Sequence, residues 1–393
     1  MKPLKIGIIS KTLVASANPE WVSGLARGLH KLGHRVEIVY LREPSVAPPG
    51  FLVPFEGLDM TFLLRGWLAR LSEAIGWPIS MGLLGGGYGR EGSPDPLSWI
   101  FVPVFSHRLR RFDLAIFYDP YSGITGVVSN ILFSLKYVTF VHEAIAGSPK
   151  SLLGKLERHM LRLVSERAVL TAGINESITK SLAQMGLPRT KTIASGCIRD
   201  PRAPNSKKEF VLFDTRWTPA RNPAFALEIA KLSPGIRFVM IGSFWTRTLE
   251  SEIRQKVVAE GLDNRFIIRT NLSPQEVRKH YREASVFVRW SAHGTGGWER
   301  GIPMGILTAM SVGCPIVIDE NLGCAPLLAE ILHGYILPYH PKEFANAVTR
   351  IVRTPSERTR LVGISLKLAE RFSWTKSARA LLDILCNEEY VPD

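Results

Sequence analysis

Apolar and polar residues follow two periods along most of the chain. The runs "KIGIISKTLV" and "RVEIVYL" are almost continuously apolar, as strands are in a parallel sheet covered on both faces. Between them, "PEWVSGLARGLHKLGH" repeats its apolar residues at helical spacing, and Gly33 stands where a helix would stop. Strand, helix, strand is the unit of a doubly wound sheet. The alternation returns in "DLAIFYD", "SGITGVVSNILFSL", "YVTFVHE", "KLERHMLRLVSERA" and "VLTAGI". In "NESITKSLAQMG", Asn175 is a fitting N-cap, and "TKTIASGCI" reads as one more strand.

Residues 51–112 break the rhythm. "MTFLLRGWLARLSEAIGWPISMGLLGGGYG" sets Trp67 and Trp77 among leucines and arginines at helical spacing, and "SHRLRRFD" adds a basic cluster. Such a segment can lie on an anionic membrane face or be an ordinary insertion with its arginines in water. "RDPRAPNSKKE" breaks the pattern again, with two prolines, and marks a domain boundary. Beyond it come "FVLFD", "NPAFALEIAKLS", "IRFVMIG", "LESEIRQKVVAEGL", "RFIIRT", "SPQEVRKHYREA" and "SVFVRWS". The expected fold class is α/β, with two Rossmann-like domains facing a central cleft. The first spans 1–200, with an insertion at about 45–112. A linker covers 201–208, the second domain covers 209–375, and a helix at 376–393 returns to the first domain. Ligands bind such sheets beyond the carboxyl ends of the strands.

A length of 393 residues accommodates two domains, and 46% hydrophobic with 21% charged residues excludes a disordered chain. The net charge of +14 points to an anionic partner, either nucleotide phosphates or a membrane surface. Nucleic acid is disfavoured because the charge is dispersed and no basic, aromatic RNA-binding motif occurs. The four cysteines, Cys197, Cys314, Cys324 and Cys386, form no C-x-x-C pair, so neither a zinc site nor a disulfide framework is expected, and a reducing cytoplasm is. The opening "MKPLKIGIIS" reads as a first buried strand rather than a signal peptide.

The chemistry concentrates in "GGWERGIPMGILTAMSVGCPIVID", Gly296 to Asp319. Pro303 suits the first turn of a helix, and Gly313 ends it. Gly294, Gly296, Gly297 and Gly301 leave backbone N–H groups uncovered just before the helix. A helix start of this kind attracts anions through free donors and its dipole, and a diphosphate is the natural guest. A purely structural glycine turn is the alternative. Glu299 would repel a phosphate but can accept hydrogen bonds from sugar hydroxyls.

These segments resemble a GT-B-fold glycosyltransferase, similar to the retaining family 4 group (glycosyl transferases group 1). "SVFVRWSAHGTGGWERGIPMGILTAMSVGCPIVIDENLGCAPLL" is similar to that family's donor-binding segment, with Ala309, Met310, Gly313, Pro315 and Val317 matching. "FDTRWTPARNPAFALEIAKL" resembles the segment carrying its diphosphate-binding Arg/Lys pair, which falls on Arg216 and Arg221. "FVMIGS" resembles the strand and turn that follow, ending at Ser243. "YVTFVHE" puts His142 on the histidine that closes a strand of the first domain. Two departures stand out. Glu299 matches the first of two family glutamates only if displaced by about one residue, and the second falls on Thr308. The family's Gly-Gly loop is replaced by "ASANPEW", where Asn18 and Glu20 stand on the acceptor side.

The resemblance implies sugar transfer from a nucleoside diphosphate sugar, acting as co-substrate, to a glycan or lipid-linked acceptor. The anomeric configuration is retained, with no further cofactor and no metal. Arg216 and Arg221 grip the diphosphate in bidentate fashion. Arg300, Gly301, Ile302, Pro303 and Met304 border it, and Thr308 donates one hydrogen bond where a glutamate would accept two. His142 and Glu299 serve the transferred sugar, with Glu143 orienting His142. Asp119 is either an acceptor-side group or a turn cap. The tryptophan- and arginine-containing segment 60–111 could dock a lipid-linked acceptor at the cytoplasmic membrane face. Two rivals remain open: a catalytically silent nucleotide-sugar-binding partner of another transferase, and a sugar-nucleotide epimerase of the same fold.

Overall fold

The computed structural model describes residues 2–12, 17–42, 57–64, 102–142, 152–200, 209–291, 301–388 and 390. They fall into two compact units, Met1–Gly196 with Trp374–Asp393, and Cys197–Ser373. The first unit runs β1 (Lys5–Thr12), α1 (Ala17–Lys31), β2 (Arg35–Arg42), β3 (Asp59–Leu64), α2 (Val102–Leu109), β4 (Leu114–Phe117), α3 (Pro120–Phe133), β5 (Tyr137–Val141), α4 (Leu152–Arg167), β6 (Leu170–Gly173), α5 (Glu176–Gln184) and β7 (Thr190–Thr192). Its sheet has the order β3-β2-β1-β4-β5-β6-β7 with every pairing parallel. Strand order reverses between β1 and β4, and the carboxyl ends there form the crevice where such sheets bind ligands.

Burial on both faces explains the unbroken apolar strands. Ile6, Ile8 and Ile9 of β1, Ala115 to Phe117 of β4 and Val138 and Phe140 of β5 are all sealed from solvent. β3 corrects the sequence expectation for residues 60–64. "DMTFLL" forms an edge strand beside β2 rather than part of an amphipathic helix. Thr61 Oγ1 donates to Glu37 at 2.8 Å, and Phe62 stacks on Tyr40 at 5.8 Å. Val102, Phe105 and Leu109 give α2 its buried stripe, leaving Arg108, Arg110 and Arg111 exposed beside it. Trp67 and Trp77 lie outside the described residues. The strand read over "TKTIASGCI" is confined to Thr190–Thr192.

The second unit runs β8 (Phe210–Asp214), a 3-10 turn (Pro219–Arg221), α6 (Ala224–Lys231), β9 (Arg237–Ile241), α7 (Arg247–Ala259), β10 (Phe266–Arg269), α8 (Pro274–Glu283), β11 (Val286–Arg289), α9 (Met304–Ser311), β12 (Ile316–Asp319), α10 (Ala325–Leu328), β13 (Ile336–Leu337), α11 (Pro341–Arg353) and α12 (Pro355–Arg371). The sheet is again parallel, in the order β10-β9-β8-β11-β12-β13. Ser273 and Glu276 form a reciprocal capping box at the start of α8, a device that contributes about 1 kcal/mol.

The last helix, α13 (Trp374–Asn387), packs with the first unit against α1. Two glycines of α1 permit the approach. A Cβ on Gly24 would lie 2.1 Å from the indole nitrogen of Trp374, and one on Gly28 would lie 2.4 Å from its carbonyl oxygen. Trp374, Ala378, Leu381 and Leu385 supply the buried stripe on the α13 side.

Candidate functional site

In the first unit, chemistry gathers where β4, β5 and α1 meet. His142 follows the last residue of β5. Its ring stacks on Tyr118 at 4.0 Å and meets Trp21 of α1 edge-on at 4.8 Å. Burial holds the imidazole down to about pKa 3, against a smaller upward pull from its hydrogen bond to the Tyr118 backbone carbonyl. The ring is therefore neutral at physiological pH. With one nitrogen donating to that carbonyl, Nε2 carries the lone pair, and this buried atom meets no partner among the described residues. The indole Nε1 of Trp21, a residue only 2% exposed, is likewise buried and unpartnered. One acceptor and one donor, both sealed from solvent, thus lie between aromatic rings. Trp374 of α13 supports the cluster, edge-on to Trp21 at 5.6 Å.

The acceptor-side residues expected from sequence map onto this edge. Asn18 and Glu20 lie in the first turn of α1, beside Trp21, and Glu20 is half-buried. Asp119 follows Tyr118 and caps α3, accepting from the Ser122 N–H at 2.7 Å. Glu143 lies outside the described residues.

In the second unit, the loops after β8 and β9 are zipped together. The Trp217 N–H donates to the Ser243 carbonyl at 2.7 Å, and the Trp245 N–H to the Trp217 carbonyl at 2.8 Å. Glycine is required where these loops touch. Gly242 has φ +116°, and a Cβ there would lie 2.0 Å from the Thr215 carbonyl oxygen. The zipper aligns three of the expected donor residues. Arg216 is exposed, with its guanidinium over the Trp245 ring at 4.7 Å. Arg221 closes the 3-10 turn, which Thr218 caps, and its Nη1 donates to Thr215 Oγ1 at 2.6 Å and the Arg216 carbonyl at 2.9 Å. The Trp290 indole in turn donates to the Arg221 carbonyl at 2.7 Å. Ser243 is exposed on the neighbouring loop.

Beneath these loops lies a charged network that sequence reasoning missed. Asp214 ends β8 and accepts from the Tyr281 hydroxyl at 2.7 Å. Arg289 ends β11, is 7% exposed, and reaches the Asp214 carbonyl at 3.4 Å. Burial first, and then the Asp214 carboxylate, push the Tyr281 phenol well above its ordinary range, so it remains a donor. Asp214, Thr215, Arg221, Arg289 and Trp290 line one narrow crevice at this carboxyl edge. The missed signal was an arginine within the apolar run "SVFVRW". A cation is rarely buried unless paired.

The start of α9 approaches the same network. Gly305 sits so close to Tyr281 that a Cβ would be 2.7 Å from its hydroxyl. Gly301, Ile302, Pro303 and Met304 are half-buried and lead into the helix, with Pro303 as its N-cap. Met304 and Gly305 carry amides of the first turn, which no helical carbonyl can serve. Gly313, at φ +64°, ends α9, as expected. Thr308 is buried, 9% exposed, on the helix. Glu299 and Arg300 lie outside the described residues, as do Gly294, Gly296 and Gly297.

The second unit thus offers fixed guanidinium groups and free amides, a combination suited to a diphosphate. Comparison with known proteins agrees in family and fold. The model described as "Glycosyl transferase 4-like domain" matches residues 21–196, and the one described as "Glycosyl transferases group 1" matches residues 221–354. The amylovoran biosynthesis glycosyltransferase AmsK of Erwinia amylovora is 25% identical over 233 residues, covering 55% of this chain. The match spans 56% of the length of that relative. Among solved structures, HepE of Anabaena in complex with UDP superposes with a TM-score of 0.68 at 14% identity, covering 98% of this chain and 100% of that one. The sucrose-phosphate synthase of Thermosynechococcus elongatus gives 0.66 at 15% identity, covering 98% and 99%.

Proposed function

Because the chain belongs to the group 1 glycosyltransferases, built on the GT-B fold, we propose that it moves a sugar from a nucleoside diphosphate sugar to a glycan or lipid-linked acceptor, with retention of anomeric configuration. The observation that carries this reading is the convergence of Arg216, Arg221 and the Ser243 turn at one carboxyl edge. As the glycosidic bond breaks, negative charge grows on the departing diphosphate. Cations fixed before the reaction stabilise that charge without reorganising. The guanidinium pair and the amides of Met304 and Gly305 take this role, so the transfer needs no divalent metal. Glu299 and Arg300 complete the donor loop, and Thr308 holds a sugar hydroxyl.

In the first unit, His142 is the group for the transferred sugar. Its neutral ring accepts a hydrogen bond from a sugar hydroxyl at Nε2, and Trp21 donates beside it. Asn18, Glu20, Asp119 and Glu143 border the acceptor. A lipid-linked acceptor at an anionic membrane face suits the chain's charge of +14. No helix among the described residues is long and apolar enough to cross a membrane.

HepE has been solved with UDP-glucose, which makes uridine nucleotides the first donors to test. UDP and UDP-sugars should raise the unfolding temperature, and a labelled donor should release sugar to an acceptor with its anomeric configuration kept by NMR. Binding without turnover across many acceptors would instead support a silent partner, the reading that Thr308 in place of a glutamate favours. Absence of nucleotide binding overturns both.

A further inference from the structure

Large apolar side chains exposed on the described surface mostly occur singly, as at Leu163, Leu232 and Val258. The end of α3 is different. Ile131 is 57% exposed, Leu132 54% and Phe133 36%, in an unbroken run. This is not a frayed end. Ser134 takes the left-handed conformation at φ 55° and its N–H returns to the Ser129 and Asn130 carbonyls. The Asn130 side-chain amide donates to the Leu135 carbonyl at 3.1 Å, and Leu135 is buried beneath. The helix end is closed and anchored, so Ile131 and Leu132 are held outward by the fold.

Basic residues lie beside this tip. The His107 ring of α2 meets Phe133 edge-on at 5.8 Å. Arg108 and Arg110, just beyond His107, are exposed and meet no carboxylate among the described residues. Lys136 follows the cap, exposed, and its ammonium donates to the Tyr390 carbonyl at 2.6 Å. Arg111 differs in pairing with Glu37. An apolar wedge beside basic residues matches the boundary between acyl chains and anionic headgroups.

We infer that the tip of α3, with Arg108 and Arg110 beside it, seats this protein on an anionic lipid bilayer. The inference rests on the reading above for its purpose, and makes the membrane contact an anchor that holds the chain at the bilayer rather than the point where a lipid-linked acceptor meets His142. α3 runs from the carboxyl edge of the sheet to its amino edge. The tip therefore lies at the opposite edge from His142, and docking leaves the site edge open.

The test is co-sedimentation of the full chain with phosphatidylcholine vesicles, with and without phosphatidylglycerol. The wild type should bind the anionic vesicles and only weakly the neutral ones. Ile131→Ser with Leu132→Ser and Phe133→Ser should weaken binding at least about tenfold at unchanged unfolding temperature. Arg108→Glu with Arg110→Glu should cost about fivefold or more per cation and remove the preference for anionic lipid. Sugar release from a soluble donor should be the same in all forms, so loss of activity everywhere would sink the enzymatic reading while leaving the docking result standing. The inference is overturned if the serine variant binds vesicles like the wild type, or if the wild type ignores them. It is also overturned if the serine changes merely split a dimer into monomers without touching lipid binding.

Discussion

The carboxyl edges of the two sheets are made of opposite materials. Around His142 stand rings, namely Trp21, Tyr118 and, behind them, Trp374. The titratable group there is held neutral by burial. Around Arg221 stand charges, namely Arg216, Arg289 and Asp214, tied together through main-chain carbonyls. The same strand-helix repeat builds both edges, so the contrast is not one of fold. It lies in which side chain ends each strand and what the neighbouring loops press against it. Rings with a leftover donor and acceptor suit an uncharged, hydroxyl-rich ring. Guanidiniums on a backbone zipper suit a charge that grows during reaction.

The sharpest way to break this contrast is to remove the cations. Arg216→Ala with Arg221→Ala should weaken UDP binding by about a hundredfold or more, since each charged hydrogen-bonding group contributes about 1.5–3 kcal/mol. Calorimetry reads this directly, and retained affinity would refute the phosphate assignment. Next is His142→Ala, expected to lower kcat by about a hundredfold while donor Kd moves less than about threefold. An equal loss in Kd would make His142 a ground-state binding group instead.

A third prediction concerns pH. His142 in the folded chain titrates at about 3, whereas an unfolded histidine titrates at about 6.5. Below about pH 6.5 the unfolded chain takes up a proton that the folded chain refuses. Stability is therefore full above that pH and falls on acidification, by at most about 1.4 kcal/mol per pH unit from this group. Urea midpoints at neutral and mildly acidic pH should show His142→Gln losing less than the wild type. The smallest effect is expected at Trp245, 45% exposed, whose ring supports Arg216. A cation–π contact at an exposed site contributes about 0.5–1 kcal/mol. Trp245→Leu should cost about two- to fivefold in UDP affinity, and Trp245→Phe should restore most of it.

Much of the architecture was legible before any coordinates. The apolar runs of β1, β4, β5, β8 and β9 announce themselves because a parallel strand is buried on both faces. Arg216 and Arg221 were singled out because their segment resembles the family's diphosphate-binding segment, and the structure brings them together on one loop. β3 was hidden, since a six-residue edge strand within a tryptophan- and arginine-rich stretch gives too short a period to separate from a helix. Arg289 carried no sequence reading of its own, because its partner Asp214 lies far from it in the chain. Trp21 was not singled out, because nothing nearby in sequence reveals that its indole nitrogen lacks a partner.

The sequence by itself determined the periods, the helix stops at Gly33 and Gly313, and the order of strands and helices, because these depend on interactions a few residues long. Tertiary structure alone decided which groups meet. Trp21 and Trp374 touch from opposite ends of the chain, and Gly242 matters only because the Thr215 carbonyl lies where its side chain would be. The exposure of Ile131, Leu132 and Phe133 is likewise a tertiary outcome. Their helix is apolar almost throughout, and only the closed cap and the neighbouring elements decide which part of it stays in water.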